Sequence, residues 1–216
     1  MRAALVPVKR LHTAKSRLLP LLGRGALERF TLAMLEDVLD ALRSARELDR
    51  VAVVTEDPAV AEATRAAGAE AILRRDAGLN PSLDAAAQTL AREGARALLV
   101  VLGDVPGISP QDVSRLFAAL AELGGRGAVL APARDGGTAA LLRAPHDVIP
   151  SAFGPASAAA HRGLARDAGV PLAELALPGL ALDLDRPEDV AEFLRAGRGG
   201  TRTRQALEQL RLEAAC

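Results

Sequence analysis

The chain has 216 residues, balances 27 lysines and arginines against 27 aspartates and glutamates, and is half hydrophobic by count. That size suits one globular domain whose core needs no covalent staples, and the zero net charge offers no general field for nucleic acid or a membrane surface. Four phenylalanines without tyrosine or tryptophan leave little for base stacking, and a single cysteine, Cys216, excludes an internal disulfide and argues against a zinc cluster.

Short apolar runs alternate with helical patterns along the chain. The first run, 3–8, is too short for a signal peptide, and nowhere do 18 apolar residues follow one another, so the expected location is cytoplasmic. Runs at 51–55, 71–73, 97–102, 129–131 and 139–142 also read as strands, being brief, rich in Val, Leu and Ala, and bounded by Gly, Pro or Asp. Their apolarity is continuous, clearest in Leu98-Leu99-Val100-Val101-Leu102, as in strands covered on both faces of a mostly parallel sheet.

Between them, 26–44 spaces Leu27, Phe30, Leu35, Val38 and Leu42 near a period of 3.6 residues. Helices are also expected at 58–67, 83–93 and 110–123, the last capped by Ser109 with Pro110 in first position. The reading is therefore an α/β fold with a mostly parallel central sheet and helices on both faces, spanning 1–196. Residues 197–216 form a linker through Gly197-Arg198-Gly199-Gly200 and then a short helix, 203–214. That helix packs on the surface or on a partner subunit of a homodimer, or stays a tail.

In such sheets ligands bind outside the carboxyl ends of the strands. There, Gly103-Asp104-Val105-Pro106 ends a buried strand on one carboxylate, which serves as a magnesium ligand or as a turn residue. In Leu182-Asp183-Leu184-Asp185, strand geometry would project Asp183 and Asp185 to one side, where paired carboxylates favour a cation; Asp185 alternatively caps the helix opening at Pro187. The loop after the first strand carries Lys9, Arg10, Lys15 and Arg17, lacks the glycines of a P-loop, and reads as a triphosphate-neutralising segment or a solvated basic turn. Thr138 after Gly136-Gly137, together with Gly154 and Ser157 at a helix expected to open at Pro155, reads as an anion pocket. His161, four residues beyond Ser157 on the same helix face, reads as a surface or half-buried histidine. Gly78 and Asn80 lie in a loop whose amides and side chain would read a base edge, or which is a plain connection.

Taken in order, these segments resemble the 2-phospho-L-lactate guanylyltransferase family of coenzyme F420 biosynthesis, whose bacterial members are also described as phosphoenolpyruvate guanylyltransferases. The matching pieces are Val6-Pro7-Val8-Lys9 with Ala14-Lys15-Ser16-Arg17-Leu18, then Gly78-Leu79-Asn80, then Gly103-Asp104-Val105-Pro106. Arg134-Asp135-Gly136-Gly137-Thr138, Phe153-Gly154-Pro155 with Ser157 and His161, and Leu182-Asp183-Leu184-Asp185 follow. The chain departs from the family's pattern at Ala139 and Ala158, both beside the acid pocket.

The resemblance implies a GT-A-like nucleotidyltransferase that joins GTP to a phosphorylated three-carbon acid, phosphoenolpyruvate or 2-phospho-L-lactate, and releases pyrophosphate. It assigns Thr138, Gly154 and Ser157 to the acid, and Asp104, Asp183 and Asp185 to magnesium. From the loops themselves, Lys9, Lys15, Ser16, Arg17, Gly78 and Asn80 are expected at the nucleotide, with Lys9, Lys15 and Asp104 as the catalytic groups. The alternatives are 3-phosphoglycerate as acceptor, a nucleotidyltransferase of molybdenum-cofactor or sugar-phosphate type, and a non-catalytic nucleotide-binding regulator.

Overall fold

A computed structural model describes residues 1–13, 15–74, 78–197 and 199–214, with the side chains of 13, 16 and 211–214 left aside. In chain order the elements are β1 (Arg2–Val8), α1 (Leu19–Leu22), α2 (Arg24–Arg43), β2 (Arg50–Thr55), α3 (Pro58–Ala66), β3 (Glu70–Leu73) and α4 (Leu79–Arg92). Then come β4 (Ala97–Val101), α5 (Pro110–Glu122), β5 (Gly127–Pro132), β6 (Thr138–Ala144), α6 (Ser157–Asp167), β7 (Leu172–Glu174), α7 (Pro187–Ala196) and α8 (Thr201–Ala214).

The strands form one sheet in the order β3-β2-β1-β4-β6-β5-β7. All neighbours are parallel except β6, which runs against both β4 and β5. This is the mostly parallel α/β sheet that the continuous apolar runs predict. The three-residue β7 was not legible: Leu172-Ala173-Glu174 is neither long nor apolar enough to stand out.

The sheet is covered on both faces. Leu35, Val38, Leu39 and Leu42 of α2 pack with Val60 of α3 and Val113, Leu116 and Leu120 of α5 on one side. Leu83, Ala86 and Leu90 of α4 join Ala158 and Ala165 of α6 on the other. The Ser109 cap is present as a full capping box, with Asp112 returning a bond to the Ser109 amide. Two helix starts differ from expectation. Gly78, at φ +111°, is the residue before α4, so Leu79, Asn80 and Pro81 already lie in its first turn. Pro155 does not open α6; the chain turns through Ala156 in the left-handed region, and the helix begins at Ser157.

A third, smaller cluster lies beside the first two. Leu27, Phe30 and Met34 on the outer part of α2 pack with Leu18, Leu184, Val190, Phe193 and Leu207. It pins α7 and α8 to α2. The Asp37 carboxylate completes the docking by accepting from the Arg202 and Thr203 amides and the Thr203 hydroxyl, the last at 2.6 Å, thereby capping α8 from another helix.

Two loops meet where no side chain fits. A Cβ on Gly179 would lie 2.5 Å from the Gly107 carbonyl oxygen, and one on Gly107 would lie 2.8 Å from that of Gly179. This backbone contact holds the loop after β4 against the segment leading to α7, and the Leu184 amide then donates to the Asp104 carbonyl at 3.1 Å. Gly179→Ala should therefore destabilise the chain by about 1–3 kcal/mol through overpacking against backbone. Urea unfolding measures this, and an unchanged midpoint would show that the two loops can separate freely.

Candidate active site

β1 keeps its pairing with β2 as far as Val8↔Thr55, but its pairing with β4 stops at Leu5↔Val100. The two strands part beyond that point, at the place where the sheet order reverses, as expected for a ligand crevice in an open α/β sheet. A cavity of about 320 Å³ opens there. Its lining includes Pro7 and Val8 at the end of β1 with Lys9 just after it, Gly103 and Asp104 after β4, and Thr138 at the start of β6. The antiparallel course of β6 is what brings an amino-terminal strand end to this edge.

One wall is acidic. Asp104, Asp135, Asp183 and Asp185 all face the cavity. Asp183 and Asp185 do not belong to a strand, as their spacing suggested; residues 182–185 are irregular. They share a side because Leu184 between them is fully buried in the cluster with Leu18 and Phe30. Nor does Asp185 cap α7: Asp189 takes that role, accepting from the Asp185 and Arg186 amides at 3.2 and 2.8 Å.

Lys15 reaches into this wall from a left-handed backbone conformation, φ +53°, unusual for a residue with a side chain. Its ammonium donates to Asp104 Oδ2 at 2.5 Å and lies 3.6 Å from Asp185 Oδ1, with the side chain only 8 % exposed. Burial works to lower its pKa, but the charge and hydrogen bond of Asp104, with the charges of Asp185 and Asp183, carry it above the ordinary lysine value. Arg17 Nη1 holds the other oxygen of Asp185 at 2.7 Å. The Asp183 carboxyl is pushed up, first by burial and then by the negative charge of Asp104.

Asp104 Oδ1 is buried and has no hydrogen-bond partner among the described residues. Among the described residues no three acidic, histidine or cysteine side chains already converge as a metal cage. Magnesium does not require one, since it commonly takes one or two carboxylates and completes its shell with water and phosphate. A carboxylate-rich wall with an orphaned carboxylate oxygen fits such an ion.

The opposite wall is neutral. Thr138, Ser157 and His161 are buried, at 1 %, 1 % and 0 % exposure. The Thr138 hydroxyl lies 3.1 Å from Ser157 Oγ and 3.0 Å from His161 Nδ1, while the Ala152 amide donates to His161 Nε2 at 3.0 Å. His161 is thus not a surface histidine. The buried stripe of α6 is Ser157, Ala158, His161 and Ala165, a face too small and polar to be recognised by hydrophobic periodicity. Gly154, at φ +144°, lines the cavity beside Ser157.

The remaining expected residues divide. Lys9 and Gly78 line a second cavity of about 200 Å³ that shares Pro7, Val8, Lys9 and Leu79 with the first. Asn80 lines neither cavity: its amide oxygen accepts from the Phe153 amide at 2.8 Å and its nitrogen donates to the Phe153 carbonyl at 3.0 Å. It braces the loop carrying Phe153 and Gly154. Residues 75–77 and the Ser16 side chain, part of the expected nucleotide loops, lie outside the described residues. Asp135 and Thr31 face the cavity without having been singled out, and the spacing of α2 marks Thr31 only as a helix position.

The whole chain, residues 1–216, matches the family described as "Guanylyl transferase CofC like". It is 45 % identical over 191 residues to the phosphoenolpyruvate guanylyltransferase of Sphaerobacter thermophilus, covering 88 % of this chain and 91 % of that one. It is 41 % identical over 217 residues to the 3-phospho-D-glycerate guanylyltransferase of Phenylobacterium zucineum, covering 98 % and 97 %. Among solved structures, a putative nucleotide-diphospho-sugar transferase from Desulfovibrio desulfuricans superposes with a TM-score of 0.76 at 17 % identity, over 97 % of this chain and 95 % of that one. At that identity the likeness speaks for the fold.

Burial, and secondarily the charge of Arg143, lowers the His161 pKa to about 4. In the unfolded chain the same ring takes a proton near pH 6.5, so between the two values the unfolded state binds more protons and stability falls as pH falls. The share due to His161 should be about 2 kcal/mol between pH 7 and pH 5. Urea midpoints of the wild type and His161→Leu at both pH values test this: the wild type should lose more, and equal losses would contradict it.

Proposed function

Because the chain belongs to the CofC-like guanylyl transferases, we propose that it moves GMP from GTP to a small phosphorylated three-carbon acid and releases pyrophosphate. The step would serve coenzyme F420 biosynthesis, with phosphoenolpyruvate as the first acceptor to test and 2-phospho-L-lactate and 3-phosphoglycerate behind it. The observation that carries the reading is one cavity with two unlike walls: Lys15 among Asp104, Asp183 and Asp185 on one side, and the hydroxyls of Thr138 and Ser157 on the other.

In this reading the nucleotide lies across the two adjoining cavities, with its phosphates beside Lys9, Lys15 and Arg17. The acid rests on Thr138, Gly154 and Ser157, and one oxygen of its phosphate faces the α-phosphorus of GTP. That oxygen attacks, the bond from the α-phosphorus to the bridging oxygen breaks, and pyrophosphate departs. A phosphate oxygen is already ionised near neutral pH, so no general base is required. Positioning and charge neutralisation remain as the work of the protein.

Four carboxylates and two lysines line the main cavity, and a triphosphate would add further negative charge. A divalent cation is the economical way to reconcile the two. Magnesium would be held by Asp104 and Asp183, with Asp185 beside them, and when bound it would offset phosphate charge. Lys15 keeps Asp104 and Asp185 apart and screened, and Arg17 turns Asp185 toward the same space.

The alternative of a non-catalytic regulator is disfavoured because every charged group the chemistry needs is present and faces the cavity or touches a residue that does. Incubating the protein with GTP, magnesium and each of the three acids, then weighing products by mass spectrometry, tests the assignment. A guanylylated acid and pyrophosphate are expected; no pyrophosphate with any acid would overturn it. Asp104→Asn should lower kcat by about 10²–10³-fold with the fold retained by circular dichroism. A rate near that of the wild type would remove Asp104 from the machinery.

A further inference from the structure

We infer that His161 is a positioning residue for the acid, its tautomer leaving one hydroxyl hydrogen of the Thr138–Ser157 pair free to bind the ligand. The inference rests on the proposal that this pair holds the acceptor acid.

Hydrogen counting carries it. The Ala152 amide can only donate, and it points at His161 Nε2 from 3.0 Å, so that nitrogen must present its lone pair. The single hydrogen of the neutral ring therefore sits on Nδ1, which faces the Thr138 hydroxyl at 3.0 Å and donates to it. Thr138 and Ser157 own two hydroxyl hydrogens, and the 3.1 Å contact between them uses one. None is given to the histidine. One hydrogen is left over, whichever hydroxyl carries it, and both residues line the cavity. With the opposite tautomer, Nδ1 would take the Thr138 hydrogen and Thr138 would take that of Ser157. The wall would then offer an anion lone pairs only.

The tautomer is itself braced. Asp84 accepts from the Ser151 amide at 3.3 Å, and Asn80 holds both backbone groups of Phe153, so the Ala152 amide between them is fixed from α4. The Phe153 ring meets the imidazole edge-on, with centroids 5.1 Å apart, and limits its rotation. This chain of contacts gives Asn80 a task at the site without any contact to a ligand. A neutral donor of fixed direction suits an acceptor-only anionic oxygen, the carboxylate or phosphate of the acid, and adds no charge to compete with the acidic wall for the cation.

The test is kinetic and spectroscopic, on the full chain with GTP, magnesium and phosphoenolpyruvate. Thr138→Val should raise the KM for the acid by about ten- to a hundredfold, the loss of one hydrogen bond to a charged group, and His161→Leu should raise it by less, since the spare hydrogen remains but Thr138 loses the donor that fixes its direction. The KM for GTP should stay within about twofold, since the acidic wall is untouched. The double variant should be no worse than Thr138→Val alone, because His161 acts on the ligand only through the Thr138 hydroxyl. His161→Asn, whose amide N–H can reach the Thr138 hydroxyl, should recover much of the loss. Nitrogen-15 spectra of the wild-type imidazole should report the Nδ1–H form at pH 7, which decides the matter even if His161→Leu does not fold. An unchanged acid KM in Thr138→Val would overturn the reading that the pair holds the acid, and this inference with it. A raised KM in Thr138→Val with an unchanged one in His161→Leu, or an Nε2–H tautomer, would overturn the inference alone.

Discussion

An ammonium group as buried as that of Lys15 stays charged only if carboxylates surround it, and those carboxylates come from segments far apart in the chain. Lys15 belongs to the loop after β1, Asp104 to the loop after β4, and Asp183 and Asp185 to the stretch before α7. Each must therefore be delivered to one place by its own packing. Leu184 is driven into the cluster on α2 and presents the aspartates on either side of it. Gly107 and Gly179 let two backbones touch, so that Asp104 and Asp183 can face one cavity. The left-handed turn at Lys15 is affordable because the ion pair it permits is the one that satisfies Asp104 Oδ2.

Much of the fold was legible because its signals are local. Six apolar runs became six strands, and Ser109 with Pro110, and Pro187, marked helix starts that the structure retains. What escaped was decided at a distance. That β6 runs antiparallel depends on its partners, yet it is the reason Thr138 sits at the same edge as Asp104. The pairing of Asp183 with Asp185 was rightly expected to face one side but for the wrong reason, since a buried leucine in an irregular segment did what strand alternation was expected to do.

His161 and Asn80 show the same limit from the other side. A histidine on an alanine-rich helix has no periodic signal of burial, and only the Ala152 amide, nine residues away, reveals its tautomer. Asn80 looked like a ligand contact because it sits in Gly78-Leu79-Asn80-Pro81; in the folded chain both ends of its amide are occupied by Phe153 backbone. Motif order was enough to point to the family, whereas the division of labour among the residues required coordinates.

The two walls of the cavity meet at the turn of Asp135 to Thr138 but otherwise draw on different helices. The acidic one is tied to α2, α7 and the Gly107–Gly179 contact; the hydroxyl one is carried by β6 and α6 and braced from α4. If the hydroxyl wall holds the acid, as proposed, changes on α6 would alter acceptor preference while leaving the carboxylates beside Lys15 in place. Relatives named for two different acids, each more than 40 % identical to this chain, are what such a partition would leave behind.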